Sequence, residues 1–273
     1  MTDITKPAFL NSIWFLKEYL SDIVIGGGWA PLIYYHYLLG DKTKNPVRTF
    51  DIDLMVKTIV PIKGDKRIEQ LLIEAGLTAT FKSMDTPPII HYEGNIEGCD
   101  IEIEFLTDQK GPKPDVVIEV QKGLHAEALR YISIATDNTI AITIDDFTDQ
   151  EMEVPFQVKV PTPQAYVFHK GLVFEKRREE PKRAKDLYYI FEILTNCNTI
   201  EEKILSGLVK LKGKYPKWFD KFLKNLSVNF TGSSSDGVLM VADQRPASML
   251  PELNEDQFKL YVFGTFKKLL EFI

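Results

Sequence analysis

The sequence predicts an α+β fold, with a strand-rich first part over residues 1–160 and a helical second part over residues 161–273. Three observations carry this. Short apolar runs, several of them alternating with polar residues, recur through the first part and are separated by turn residues such as Gly94-Asn95 and Glu97-Gly98. Pro161-Thr162-Pro163 then interrupts both kinds of regular structure. From Gln164 onward the apolar residues return at helical spacing.

Taken in order, Phe9, Leu10, Ile13, Trp14, Leu16 and Leu20 predict a packing helix over about Pro7 to Tyr19. Ile23 to Ile25 is a short apolar strand broken by Gly26, Gly27 and Gly28, with a helix expected from about Trp29 to Leu39. A second strand carries Asp51 and Asp53, and a helix is expected over Gly64 to Ala75, with Gly76 as its stop. Strands follow at about Leu77–Met84, Ile89–Glu93 and Cys99–Leu106, then a surface loop at Thr107–Asp115. Val116–Val120 and Thr139–Ile144 are read as strands flanking a helical turn between Leu124 and Ile134, and Phe156–Val160 as the last strand. The second part reads as helices at Ala165–Lys176, Pro181–Leu194, Ile200–Leu211, Tyr215–Leu226 and from Glu255 to the end. Thr231–Pro251, with its Gly-Ser-Ser-Ser-Asp-Gly run, reads as a long mobile loop. The apolar Leu269, Leu270, Phe272 and Ile273 are expected to be buried.

Composition narrows the function classes. A chain of 273 residues, 44% hydrophobic and 26% charged, is ordinary for a globular protein with a substantial core. Its formal net charge of -6 makes a nucleic-acid partner depend on a local basic patch. Cys99 and Cys197 show neither disulfide-framework nor zinc spacing, which points to a reducing, cytoplasmic setting. No apolar run reaches the ~20 residues that span a bilayer, so no membrane association is expected.

The chemistry centres on residues 22–56. Side chains at i and i+2 of a strand share a face, so Asp51 and Asp53 should stand together. Two adjacent carboxylates repel unless a cation lies between them, and hard oxygen ligands suit Mg²⁺ together with nucleotide phosphates. Glycines upstream let phosphate oxygens approach backbone N–H groups. A Walker motif needs Lys-Ser or Lys-Thr after its last glycine, but here the chain continues Trp29-Ala30-Pro31. The spread glycines of a dinucleotide fingerprint are also absent. Further on, Asp100, Glu102 and Glu104 lie at period two on one strand face, which needs either solvent or a cation.

Gly27-Gly28-Trp29-Ala30 followed by Arg48-Thr49-Phe50-Asp51-Ile52-Asp53-Leu54 resembles the polymerase-β-type nucleotidyltransferase superfamily. Glu104-Phe105-Leu106-Thr107, the segment Val160 to Lys170, and Lys182 to Leu187 resemble a bacterial subgroup related to abortive-infection-type toxins. The resemblance covers roughly residues 22 to 195. It implies a nucleotidyltransferase mixed β-sheet core flanked by helices, with a C-terminal helical domain. It also implies transfer of a nucleoside monophosphate from an NTP to an acceptor hydroxyl, using two Mg²⁺ (or Mn²⁺) ions. Carried over by motif, Asp51, Asp53 and a third acid hold the metals and catalyse; Glu104 is chosen for the third, with Glu102 as runner-up. Gly27, Gly28, Arg48, Lys170, Lys185 and Asp186 become nucleotide-binding residues, with Lys170 on the triphosphate and Asp186 orienting that lysine or a basic neighbour.

Other features read more plainly. The run from Glu175 to Lys185 is foremost a solvated charged surface, with an RNA acceptor or the NTP phosphates as its other reading. Arg48 is as readily a surface ion pair as a phosphate contact. His36, His91, His125 and His169 show no ligand spacing and read as structural, and Tyr34, Tyr35 and Tyr37 read as core. The acceptor (an RNA end, a small molecule or a protein) and the oligomeric state are not legible. A catalytically silent nucleotide-binding or regulatory protein, or a toxin-antitoxin partner retaining the fold, is the alternative function.

Overall fold

A computed structural model describes residues 5–46, 51–81, 89–111, 116–145 and 155–273. The chain divides into two compact units, Met1–Pro161 and Thr162–Ile273. The first is a mixed sheet with helices and the second is helical.

In the first unit the elements are α1 (Thr5–Trp14), β1 (Ile23–Ile25), α2 (Trp29–Ile33), β2 (Asp51–Val56), α3 (Ile68–Glu74), β3 (Thr78–Phe81), β4 (Ile90–Ile96), β5 (Cys99–Asp108), β6 (Val116–Gln121), β7 (Leu124–Leu129), α4 (Ile132–Asp137), β8 (Thr139–Ile144) and β9 (Phe156–Pro161). The strands form one sheet in the order β3-β4-β5-β2-β1-β9-β8, and β7 pairs with both β5 and β6. The pairs β2·β5, β1·β9 and β5·β7 are parallel and the rest antiparallel. Strand β2 lies between β1 and β5, and its alternate residues Ile52, Leu54 and Val56 are buried at 0–1% exposure. That alternation sends the other set, Asp51, Asp53 and Met55, to the opposite face. Helix α4 packs there, its Ile132 and Ala135 forming a core with Val24, Met55 and Leu106. Phe9 of α1 stacks on Trp29 of α2 at a centroid distance of 4.0 Å.

Three local readings need correction. Leu124–Leu129 is strand β7, because its alternating burial answers β6 and the end of β5; the helix begins only at Ile132. Helix α3 starts at Ile68, where the Gln121 side chain accepts from the Ile68 N–H at 2.9 Å. The helix after Trp29 turns into a wider π-type segment over Tyr34–Leu38, within which Tyr34 and Tyr35 are fully buried. Part of the strand expected at Leu77–Met84, Met84 included, falls outside the described residues.

The second unit comprises α5 (Pro163–Val173), α6 (Glu180–Asn196), α7 (Glu201–Lys214), α8 (Pro216–Asn229), α9 (Asp236–Asp243) and α10 (Glu255–Phe272). Helix α5 packs against α6, α7 and α8, and α6 against α9 and α10. At Gly171 of α5 a Cβ would stand 2.4 Å from the Phe222 ring, so glycine is what lets α8 approach. Thr231–Pro251 is not a mobile loop throughout. It holds α9, whose Val238 and Val241 are buried, and Arg245 then gathers the next turn through the carbonyls of Met249 and Leu253, both at 2.9 Å. Asn254 and Gln257 form a reciprocal cap at the start of α10. Leu269 is buried there, whereas Phe272 is 53% exposed, since α10 ends with that side chain facing outward.

Candidate active site

The acids of the first unit are gathered by strand register. Across the parallel pair β2·β5, Asp51 is the partner of Glu102 and Asp53 of Glu104. Registered residues of neighbouring strands share a face, so the four carboxyl groups stand on one face as two successive rungs. Asp51 is exposed, while Asp53, Glu102 and Glu104 are half-buried. Strand β4 extends the face, placing His91 opposite Glu104 and Glu93 opposite Glu102. His91 Nε2 lies 3.3 Å from a Glu93 carboxylate oxygen, and its Nδ1 lies 3.8 Å from Glu102. The Thr80 hydroxyl donates to Glu93 at 2.8 Å and, with His91, holds that carboxyl below its ordinary value.

The glycine turn closes one side of this face. Gly26 N–H donates to the Asp53 carbonyl at 2.8 Å, which ties the turn to β2. Gly27 has φ +57, and a Cβ built on it would stand 2.3 Å from Asp53 Oδ2. The backbone at Gly27 therefore lies against the second carboxylate, an approach that glycine alone allows. Gly28 caps α2. Arg48 lies outside the described residues.

A cavity of about 760 Å³ opens at the first rung, lined by Asp51, Glu93, Asp100 and Glu102 among others. Among the described residues, no three His, Cys, Asp or Glu side chains are gathered closely enough to hold a metal ion unaided. The donor set still fits Mg²⁺, which takes one or two carboxylates and completes its shell with water and substrate phosphates rather than an all-protein cage. Register supplies the carboxylates in pairs, and Gly27 packs its backbone against one of them.

In the second unit, Asp186 is 3% exposed and Lys170 is 7% exposed, with Lys170 Nζ donating to Asp186 Oδ1 at 2.6 Å. Arg177 Nε donates to the other oxygen, Oδ2, at 2.9 Å. Burial pushes the Asp186 carboxyl up, but the Lys170 and Arg177 charges outweigh it and hold it below the usual carboxylate range. Lys170 also lies over the rings of Tyr189 and Tyr166, at 5.3 and 5.6 Å. Lys185 is half-buried on the same helix as Asp186. Sequence reasoning missed Arg177 as a ligand of Asp186. The signal was faint, because the 3₁₀ turn Phe174–Lys176 is what carries that arginine back toward α6. The neighbouring His169 ring has its Nε2 buried with no hydrogen-bond partner among the described residues. Burial and the Lys170 charge push its pKa down to about 3.

A family model described as nucleotidyltransferase matches residues 14–203, well over half of the chain. No curated protein and no solved structure matches it.

Proposed function

Since the chain belongs to the nucleotidyltransferase family, we propose that it moves a nucleoside monophosphate from an NTP to an acceptor hydroxyl with divalent metal assistance. The observation that carries this reading is the β2·β5 register, which sets Asp51 and Asp53 beside Glu102 and Glu104 with Gly27 against Asp53. Asp51, Asp53 and Glu104 would hold Mg²⁺. When bound, such ions neutralise the triphosphate and make the acceptor hydroxyl more acidic.

The rest falls to the chain's own groups. The acceptor oxygen bonds to the α-phosphorus, the bridging bond to the β-phosphate breaks, and pyrophosphate leaves. The hydroxyl proton passes to a carboxylate of the face, for which Glu104 is placed on the inner rung beside Asp53. Gly27 lets the turn lie directly against Asp53, where any other residue would put a methyl group into its carboxylate. His91 restrains Glu93 through its Nε2, with Glu102 lying 3.8 Å from the other ring nitrogen. Catalysis of this kind rests on positioning and charge neutralisation rather than on a covalent intermediate.

The test is incubation with Mg²⁺ and each labelled NTP against RNA, protein and small hydroxyl acceptors. Transfer is expected in at least one combination, and Asp53→Asn should reduce it by about 10⁴-fold, or ~5 kcal/mol, with an unchanged thermal midpoint. NTP binding with no transfer to any acceptor would support a silent nucleotide-binding protein instead. The observation that favours that second reading is that, among the described residues, the acids form no ready-made cluster of three metal ligands.

A further inference from the structure

A second cavity of about 320 Å³ lies within the first unit and shares no lining residue with the acid-lined one. Its lining combines apolar Val24, Met55 and Val60 with polar Ser21, Thr136 and Thr139 and the cationic Lys57 and Lys159. Two features mark it as a built site rather than a crease in the surface.

One wall is the segment after β2, and buried polar side chains fix it at several points. Val60 N–H donates to the Val120 carbonyl at 2.7 Å, and Gln121 Nε2, on a side chain 6% exposed, donates to the Pro61 carbonyl at 3.2 Å. The fully buried Tyr19 hydroxyl accepts from Lys63 N–H at 2.9 Å and donates to the Lys66 carbonyl at 2.6 Å. Held in this way, the segment presents Ile59 at the rim with 81% of its surface exposed, an unusual position for a large aliphatic side chain on a wall so well anchored.

The charges are also ordered. Asp22 is the one carboxylate among the described lining residues, and Lys63 ion-pairs with it. Lys63 also donates to Ser21 Oγ at 2.5 Å. Lys159 Nζ donates to the Ser21 carbonyl at 2.6 Å, which positions the ammonium without neutralising it. Lys57 has no hydrogen-bond or ion-pair partner among the described residues. Two cationic heads therefore remain at the rim after Asp22 is answered, in a protein whose net charge is -6. The hydroxyl residues Thr136 and Thr139 complete the opposite side.

We propose that this cavity binds a small phosphorylated organic molecule, its phosphate on Lys57 and Lys159 and its less polar body over Val24, Met55 and Ile59. Two ammonium groups suit a compact anion, and the apolar side chains of Val24, Met55, Ile59 and Val60 set among Ser21, Thr136 and Thr139 suit a body that is part apolar and part hydrogen-bonding. The site needs no metal and shares no lining residue with the acid-lined cavity.

The experiment is a titration of the ¹⁵N-labelled full chain with AMP, and in parallel with inorganic phosphate, in excess EDTA so that metal-dependent binding is removed. Saturable shifts are expected for the backbone amides of Val24, Lys57, Ile59 and Thr139, with those of Asp51 and Asp53 unmoved. AMP should bind about tenfold more tightly than phosphate, reflecting contact of its nucleoside with the rest of the lining. Lys57→Gln, on an exposed side chain, should weaken AMP at least about fivefold without altering the remaining spectrum. Shifts centred on the acid face, equal affinity for AMP and phosphate, an unchanged affinity in Lys57→Gln, or no saturation by about 10 mM would each overturn the proposal.

Discussion

The acid face of the first unit and the Lys170–Asp186–Arg177 cluster of the second are both built from charges, yet they are built in opposite ways. On the face, like charges are set side by side by strand register, with Asp51 exposed and Asp53, Glu102 and Glu104 half-buried. In the cluster one carboxylate is almost fully enclosed and meets a cation at each oxygen. A closed network of that sort fixes structure, whereas adjacent carboxylates cost stability and are kept where a cationic ligand is to be met. The comparison separates an arrangement left open to solvent, proposed above to meet substrate, from one closed on itself, which ties α5 to α6.

Substitutions in the two regions should separate these roles. The largest effect is expected for Asp186→Ala, which strands two cations and should cost about 3 to 5 kcal/mol in urea denaturation. The double variant Lys170→Met, Asp186→Leu should recover most of that loss; a double variant as unstable as the single would contradict the account. On the acid face, Glu104→Gln should lower transfer by about 10²-fold, or ~3 kcal/mol, and Glu102→Gln by less than about tenfold, with unfolding midpoints unmoved. The reverse order would make Glu102 the third acid.

Gly27→Ala comes next. A Cβ at a left-handed position costs about 1 to 2 kcal/mol, and the clash with Asp53 Oδ2 should also reduce transfer about tenfold. Calorimetry and steady-state rates on one preparation would separate the two losses. The last test is a pH dependence. His169 stays neutral in the folded protein down to about pH 3, whereas its ordinary value is 6.5. Between those values the unfolded chain takes up a proton that the folded one refuses, so stability should decline as pH falls from 6.5 toward 3. His169→Gln should flatten that slope. Asp186 acts in a lower window: its depressed pKa keeps its contribution whole above the ordinary 3.8, with loss only as pH falls below it.

Much of this was legible in the sequence, for identifiable reasons. Period two placed Asp51 with Asp53 and Glu102 with Glu104, since alternation is a property of any strand. Which strand neighbours which is not encoded in periodicity, so the rungs Asp51–Glu102 and Asp53–Glu104 needed the resemblance to be expected and the coordinates to be seen. Helix α9 was hidden because Gly232 and the serine run dominate the local reading, while Val238 and Val241 are helical only through their packing. Strand β7 was misread because Ala126, Glu127 and Ala128 are good helix formers, and pairing with β5 and β6 overrode that preference. Arg177 escaped notice as one cation among many in a charged run.

The parallel seam between β2 and β5 also governs when the site can come into being. Its rungs join residues some fifty positions apart, and β1, which holds the glycine turn against β2, is flanked on its other side by β9 at Val24 and Lys159. During synthesis the Asp-x-Asp segment therefore leaves the ribosome long before its partners exist, and a truncated or half-made chain carries the motif without the geometry. Assembly of the site is delayed until most of the first unit has been translated.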